Sequence, residues 1–128
     1  VYRPSLANWY RVNSRDGSFF AAHFGQTGDK IVPADYTGDG RADIAIWRPA
    51  TGVWYILRSE DLSYFGAGFG LGSDLPAPGD YDGDGRADLA VWRPGAQGIF
   101  YIQRSTAGFT AFPWGVNGDM PTANAYVY

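Results

Sequence analysis

Short, mostly apolar runs alternate with glycine- and proline-rich segments along the whole chain. Ala42–Trp47 is such a run and stops before Pro49, a residue that cannot donate to a sheet ladder. Val53–Leu57 follows after a glycine-containing turn, and Leu62–Phe69 comes next. Aromatic and β-branched residues fill these runs, and none shows the 3.6-residue period of a helix. The pattern therefore predicts an all-β protein of short antiparallel strands.

The same sequence unit occurs three times along the chain, with a period of 45 residues. Its landmarks are an Arg-Pro pair, an aromatic-Gly pair and a single aspartate: Arg3-Pro4, Arg48-Pro49 and Arg93-Pro94; Phe24-Gly25, Phe69-Gly70 and Trp114-Gly115; Asp29, Asp74 and Asp119. The pair Trp9-Tyr10 returns as Trp54-Tyr55 and, one residue late, as Phe100-Tyr101. Three or four short strands in about 45 residues match the size of a propeller blade. We expect three tandem propeller-like blades, a β-propeller that is partial or completed by assembly.

The period also predicts how the domain is divided. Residues 1–128 form a single repeat domain, with a truncated first repeat at about 1–36, a second at 37–81 and a third at 82–128. The chain opens at Val1 rather than at methionine, so we expect a processed protein or a piece of a longer one. The recurring arginines, Arg3, Arg48 and Arg93, are expected to pair with the recurring aspartates of the framework.

Composition narrows the function classes. The 128 residues are 45% hydrophobic and 17% aromatic, which is too apolar for a disordered chain. No stretch approaches the roughly 18 apolar residues of a membrane-spanning helix, so membrane insertion is not expected. With a net charge of −3 and no basic patch, nucleic acid is not an expected partner. The chain has no cysteine, which excludes disulfides and thiolate metal sites.

The most specific feature is the acidic loop Asp80–Asp88. It carries carboxylates at loop positions 1, 3, 5 and 9, and the backbone carbonyl of Arg86 falls at position 7. Calcium takes six to eight oxygen ligands, so several acids must converge on one centre. The interspersed glycines permit the tight turn that this convergence requires. The predicted ligands of this loop are Asp80, Asp82, Asp84, Arg86 and Asp88.

A second such loop lies 45 residues earlier. Its predicted ligands are Asp35, Thr37, Asp39, Arg41 and Asp43. Thr37 puts a neutral hydroxyl where Asp82 has a carboxylate, so we expect weaker binding there. In the third repeat Ala125 replaces the first aspartate, so the prediction is two calcium ions per chain.

Two other interpretations of the loops compete with calcium binding in a β-repeat. An EF-hand begins similarly but needs a bidentate glutamate at position 12, where this chain has Ile46 and Val91. Alternatively, the aspartates only cap their own backbone in a glycine-rich turn. Four crowded carboxylates without a cation would repel one another, which favours a bound ion.

These residues resemble the FG-GAP/VCBS repeat family, the calcium-loop propeller blades of integrin α subunits and of many bacterial surface proteins. The resemblance rests on Phe24-Gly25 and Phe69-Gly70, the two acidic loops, and the strands Ala42–Ile46 and Ala87–Val91 that follow them. The Arg-Pro-x-x-Gly-x-Trp-Tyr continuation is similar to the bacterial branch. The resemblance implies four-stranded blades, calcium at the aspartate positions, an extracellular or cell-surface location, and an adhesive or scaffolding role.

Two alternatives to a structural or adhesive role are a lectin and an enzyme. Fungal propeller lectins carry similar calcium loops, so a glycan-binding lectin is the alternative function. An enzyme is not expected, because the chain has one histidine, no cysteine, no nucleophile elbow and no phosphate-binding loop. The lone histidine, His23, is expected to be a surface residue.

Three blades alone leave sheet edges or apolar faces uncovered. The expected partners are copies of the same chain, in a ring or a filament, or further blades of a longer chain. Unlike ends at Val1-Tyr2 and Tyr126–Tyr128 predict a head-to-tail contact between copies.

Overall fold

The computed structural model describes residues 1–122 as eleven strands, with no helix in that range. The strands are β1 (Tyr2–Arg3), β2 (Asn8–Val12), β3 (Phe19–His23), β4 (Lys30–Ile31), β5 (Ile44–Arg48), β6 (Val53–Leu57), β7 (Tyr64–Gly68), β8 (Leu75–Pro76), β9 (Leu89–Arg93), β10 (Ile99–Arg104) and β11 (Gly108–Pro113). The prediction of an all-β chain of short strands is confirmed.

The strands form three antiparallel sheets, one for each repeat. Their orders are β1-β2-β3, β4-β5-β6-β7 and β8-β9-β10-β11, so within each sheet every strand pairs with its neighbour in sequence. These small sheets match the predicted propeller-like blades, and they do not close into a barrel. In the structure the second sheet begins at Lys30 and the third at Leu75, while the predicted repeat boundaries fall inside the acidic loops.

The second sheet is buried on both faces because it lies between the other two. Along β5, Ile44 and Ile46 point to the first sheet, whereas Ala45 and Trp47 point to the third. All four are buried, which explains why the run is continuously apolar rather than alternating.

Two apolar clusters join the sheets. Between the first and second sheets, Trp9 packs with Ile44 and Ile46. Between the second and third, Trp47, Trp54 and Ile56 pack against Val91. Each sheet therefore obtains its core from its neighbours, as expected for a repeat stack.

The predicted framework pairs form in two of the three repeats. Arg48 binds Asp29 through Nε–Oδ1 and Nη2–Oδ2, both 2.9 Å, and Arg93 binds Asp74 in the same way at 2.7 and 2.9 Å. Hydrogen bonding to Asp29 raises the pKa of Arg48. Arg3 makes no ion pair with any residue of the described range; it lies over the Tyr10 ring instead.

Several predictions concern the chain ends and single residues. Ala125 and Tyr126–Tyr128 lie outside the described residues. His23 is exposed, as predicted, and its Nδ1 lies 2.9 Å from the Leu6 carbonyl. No helix of the described chain is long and apolar enough to span a bilayer.

Candidate metal centre

Each acidic loop leads directly into the first long strand of a sheet. Loop 35–43 precedes β5 and loop 80–88 precedes β9. A single antiparallel bridge closes the base of each loop, between Ala34 and Asp43 in one and between Gly79 and Asp88 in the other. The strands that follow contain Ile46 and Val91, so these loops are flanked by strands and not by the helices of an EF-hand.

The first aspartate of each loop organises the turn. Asp80 Oδ1 accepts hydrogen bonds from the amides of Gly83 (2.7 Å) and Asp84 (3.1 Å), and Oδ2 accepts one from Gly85 (2.9 Å). Both glycines have positive φ angles, 76° and 85°, a conformation that L side chains rarely adopt. Asp35 makes the equivalent bonds in the first loop. The capping interpretation therefore describes real contacts, and these contacts also preform the loop.

The last aspartate of each loop is buried and ties the loop to a neighbouring hairpin. Asp88 is 1% exposed and accepts bonds from the amides of Tyr81 and Ser105, both 2.7 Å. Asp43 does the same with Tyr36 (2.9 Å) and Ser59 (2.8 Å). Burial raises the pKa of Asp43 despite these bonds. A positive charge beside this carboxylate would therefore stabilise its ionised form.

In the second loop, three carboxylates converge. Asp80, Asp82 and Asp88 each place one oxygen within 4.8 Å of the other two. Asp82 Oδ2 accepts the amides of Thr106 (3.2 Å) and Ala107 (3.0 Å). Asp82 Oδ1 is buried and has no hydrogen-bond partner among the described residues. A buried carboxylate oxygen without a partner is costly, and a cation is the ligand that would satisfy it.

The other predicted ligands are placed differently. Asp84 accepts bonds from the hydroxyls of Ser105 (2.6 Å) and Thr106, which lower its pKa to about 2. Asp39 accepts the Ser59 hydroxyl at 3.2 Å. These two aspartates also accept the backbone N–H of Arg86 and Arg41, respectively. The roles of Asp39, Asp84 and the two arginine carbonyls as ligands stay predictions.

Beside the first loop lies a carboxylate of the β6–β7 hairpin, Glu60, that sequence reasoning missed. Thr37 donates its hydroxyl to Glu60 Oε2 at 3.4 Å. Glu60 lies one residue after Ser59, and Thr106 lies one residue after Ser105, so Glu60 and Thr106 occupy matching places in the hairpins. The second site therefore has Asp82 beside Thr106, and the first has Thr37 beside Glu60. The acid and the threonine have thus changed places between loop and hairpin. The sequence shows this only when the two hairpins are aligned with each other.

The two loops also contact each other. The amide of Ala87 donates to the Asp35 carbonyl at 2.6 Å. A Cβ added at Gly38 would lie 3.0 Å from Arg86 Cγ, so the loops approach closely at this point.

Of the comparisons with known proteins, the one with family models found a match. A family model described as an FG-GAP-like repeat matches residues 35–91, a segment that contains both acidic loops. Searches of curated proteins and of solved structures found no match. Residues 35–91 are thus similar to the FG-GAP-like repeat family, which confirms the resemblance that the motifs indicated.

Proposed function

We propose that the chain is a calcium-binding β-repeat module with a structural or adhesive role outside the cell. The observation that carries the proposal is the second acidic loop, where three carboxylates converge and the buried Asp82 Oδ1 lacks a partner among the described residues. The match of residues 35–91 to the FG-GAP-like repeat family model supports it.

The donor set fits calcium better than other common ions. Asp80, Asp82 and Asp88 offer only oxygen, the chain has no cysteine, and His23 lies in β3 rather than in an acidic loop. Calcium accepts an irregular shell of six to eight oxygens, whereas zinc prefers nitrogen and sulfur ligands in a tetrahedron. When bound, the ion would offset the repulsion among the carboxylates and hold the loop to its hairpin; no chemical reaction is required of it.

The first loop would hold a second ion with a different ligand set. Asp35 and Asp43 are equivalent to Asp80 and Asp88. Thr37 is equivalent to Asp82, and Glu60 from the hairpin approaches Thr37. A carboxylate supplied by the hairpin offsets the one lost from the loop, so the affinities of the two sites should differ less than Thr37 alone implies.

A calcium titration tests this proposal. Calorimetry on calcium-stripped protein should give a stoichiometry of two ions per chain, with Asp82→Asn removing one. Asp61→Asn is the matched control for Asp82, because Asp61 is exposed, caps Ser63 and is not one of the three converging carboxylates. Absence of calcium binding by the wild type at millimolar concentration would refute the proposal.

We further propose that copies of the chain assemble head to tail. The reason is that each end carries one partner of the Arg–Asp ion pair that is complete between the other repeats. Arg48 pairs with Asp29 and Arg93 with Asp74, each 19 residues apart. Arg3 has no such aspartate in the described range, and Asp119 only caps the amide of Val116. The 45-residue period puts Asp119 of one copy opposite Arg3 of the next.

The sheet edge supports the same contact. β8 pairs with β9 through Leu75–Trp92 and Pro76–Val91. By the period, Met120-Pro121 corresponds to Leu75-Pro76, and Val1-Tyr2 corresponds to Val91-Trp92. Met120 is 81% exposed and Val1 is 94% exposed. Since Tyr10 N–H donates to the Val1 carbonyl, the peptide groups of Tyr2 point away from β2, toward the place that a segment 120–121 would fill.

A charge swap tests the assembly. Arg3→Asp and Asp119→Arg should each reduce the mass measured by light scattering, and the double variant should restore it. Asp61→Arg controls for the change in net charge. A wild-type chain that stays at 14.0 kDa at high concentration would overturn self-assembly and assign this edge to further blades of a longer chain. Deletion of Tyr126–Tyr128 should weaken assembly and leave calcium binding intact.

A further inference from the structure

A cleft of about 640 Å³ lies between the first acidic loop and the β2–β3 hairpin of the first sheet. Three arginines line it: Arg11 and Arg15 from the first sheet, and Arg41 from the acidic loop. Its neutral polar lining is Asn13, Ser14 and Ser59. The volume lies within the roughly 300–1,000 Å³ typical of small-molecule sites.

The positive charge of this cleft is not used by the fold. Unlike Arg48 and Arg93, none of its three arginines makes an ion pair with a residue in the range 1–122. Two acids stand against the three arginines: Asp16 in the lining, and Asp39, whose Oδ2 accepts the hydroxyl of the lining residue Ser59. The local charge is therefore +1. Asp16 is itself engaged by the Ser18 amide at 2.9 Å. This patch is opposite in sign to the chain as a whole, whose charge is −3.

Arg11 departs from the repeat at a position that is otherwise core. The other two repeats have Ile56 and Ile102 here, which are 0% and 1% exposed. Arg11 lies over the Phe20 ring, with Cζ 4.8 Å from its centroid. Its Nε is buried and has no hydrogen-bond partner among the described residues. A buried donor of a charged group without an acceptor is costly, and an anion that contacts the Arg11 side chain where it lines the cleft would offset part of this cost.

Arg15 departs from the repeat in the same direction. The period aligns Arg15 with Glu60 and Arg11 with Ile56, so the hairpin of the second sheet has an acid and an apolar residue at the two places. The arginine cleft is therefore specific to the junction of the first and second sheets and is not a general property of the repeat.

We propose that this cleft binds an oxyanion, a carboxylate or a sulfate, carried by an acidic saccharide. Guanidinium groups bind such anions through charge-assisted hydrogen bonds, and a cleft lined by one sign of charge concentrates them. The Ser14 hydroxyl and the Asn13 amide oxygen suit the hydroxyls of a sugar, while the Asn13 amide nitrogen and the Ser59 hydroxyl already donate to Ser18 and Asp39. Binding needs the fold of the first two sheets and, through Arg41, the first acidic loop, so free calcium is held constant in its test.

Calorimetry with defined disaccharides tests the proposal, at constant free calcium. The probes are a sulfated chondroitin disaccharide, its unsulfated form, neutral lactose and sodium sulfate. Binding of the sulfated form alone assigns the site to sulfate, and equal binding of both forms assigns it to the uronate carboxylate. Binding of sodium sulfate as tight as that of the sulfated disaccharide would reduce the site to an anion site that ignores the sugar and would overturn the saccharide assignment.

Two variants take their replacements from the repeat itself. Arg11→Ile restores the core residue and Arg15→Glu restores the acid, so both suit the fold, and each should weaken binding about tenfold or more. Arg58→Asn is the matched control, because it removes an arginine from the second hairpin and introduces the residue of the first, Asn13; its affinity should stay within twofold. The proposal is overturned if neither acidic disaccharide binds, if lactose binds equally well, or if Arg58→Asn weakens binding as much as Arg15→Glu.

Discussion

Arg93 holds Asp74 through two parallel hydrogen bonds, and the Asp74 side chain is completely buried. Asp74 also accepts the amide of Leu71, so it fixes the turn between the second and third sheets. This single carboxylate thus joins the end of the second repeat to the β9 strand of the third. The Arg48–Asp29 pair has the same role between the first and second repeats.

Removing this carboxylate should destabilise the stack. Asp74→Asn leaves the guanidinium without its charged partner, so we expect a loss of about 2–3 kcal/mol in the free energy of unfolding. Urea unfolding monitored by tryptophan fluorescence measures it. Asp119→Asn is the matched control in dilute monomer, since Asp119 has the same turn contact but no arginine within the described residues. Equal losses in the two variants would mean that the turn, and not the ion pair, carries the stability.

Calcium removal should lower the melting temperature. An ion that binds only the folded loop stabilises it by about 2.7 kcal/mol at 100 times its dissociation constant. Thermal melts with calcium and with EDTA measure the shift, which should shrink in Asp82→Ala and remain full in Asp61→Ala. Identical melts with calcium and EDTA would contradict a stabilising role for the ion.

Glu60 should matter only to the first calcium site. Because Glu60 approaches Thr37, Glu60→Gln should weaken one of the two binding events and leave the other unchanged. Adding Thr37→Asp to that variant should recover the lost affinity, since it recreates the aspartate of the second loop. Calorimetry resolves the two events. If Glu60→Gln leaves both unchanged, Glu60 does not belong to the site.

Leu62 adopts a conformation that the repeat assigns to glycine. Its φ angle is 60°, and Gly17, the equivalent residue of the first sheet, has a φ of 70°. An L residue in this region costs roughly 1–2 kcal/mol, while glycine costs about 0.4–1 kcal/mol of chain entropy. Leu62→Gly should therefore stabilise the protein by about 0.5–1 kcal/mol in urea unfolding, and Gly17→Leu should destabilise it. A destabilising Leu62→Gly would show that the half-exposed leucine makes contacts that outweigh the strain.

The strands were predictable because each strand pattern occurs two or three times in the sequence, once in each repeat. The run Ala42–Trp47 gave β5, which begins two residues later, because Asp43 turns back to its loop, and ends one residue later. Val53–Leu57 matched β6 without change. The Arg48–Asp29 pair was also predictable, since both residues recur with the same period.

The features that escaped prediction depend on contacts between segments that the period does not align. Glu60 reaches Thr37 across 23 residues because the β6–β7 hairpin folds over the loop. In the sequence Arg11 looks like an ordinary strand residue. Only the packed sheets show that the equivalent residues, Ile56 and Ile102, belong to the core. The Asp84 carboxylate accepts the hydroxyls of Ser105 and Thr106, which are distant in sequence and come close to it only in the folded chain.

The hydrogen bond from the Ala87 amide to the Asp35 carbonyl links the two proposed ion sites directly. Its acceptor belongs to the first predicted ligand of one loop, and its donor directly precedes the last predicted ligand of the other. When one loop becomes rigid, it removes freedom that its neighbour would otherwise lose on its own binding. The second ion should therefore bind more readily than the first, so that the module responds to calcium over a narrower concentration range than two independent sites would allow.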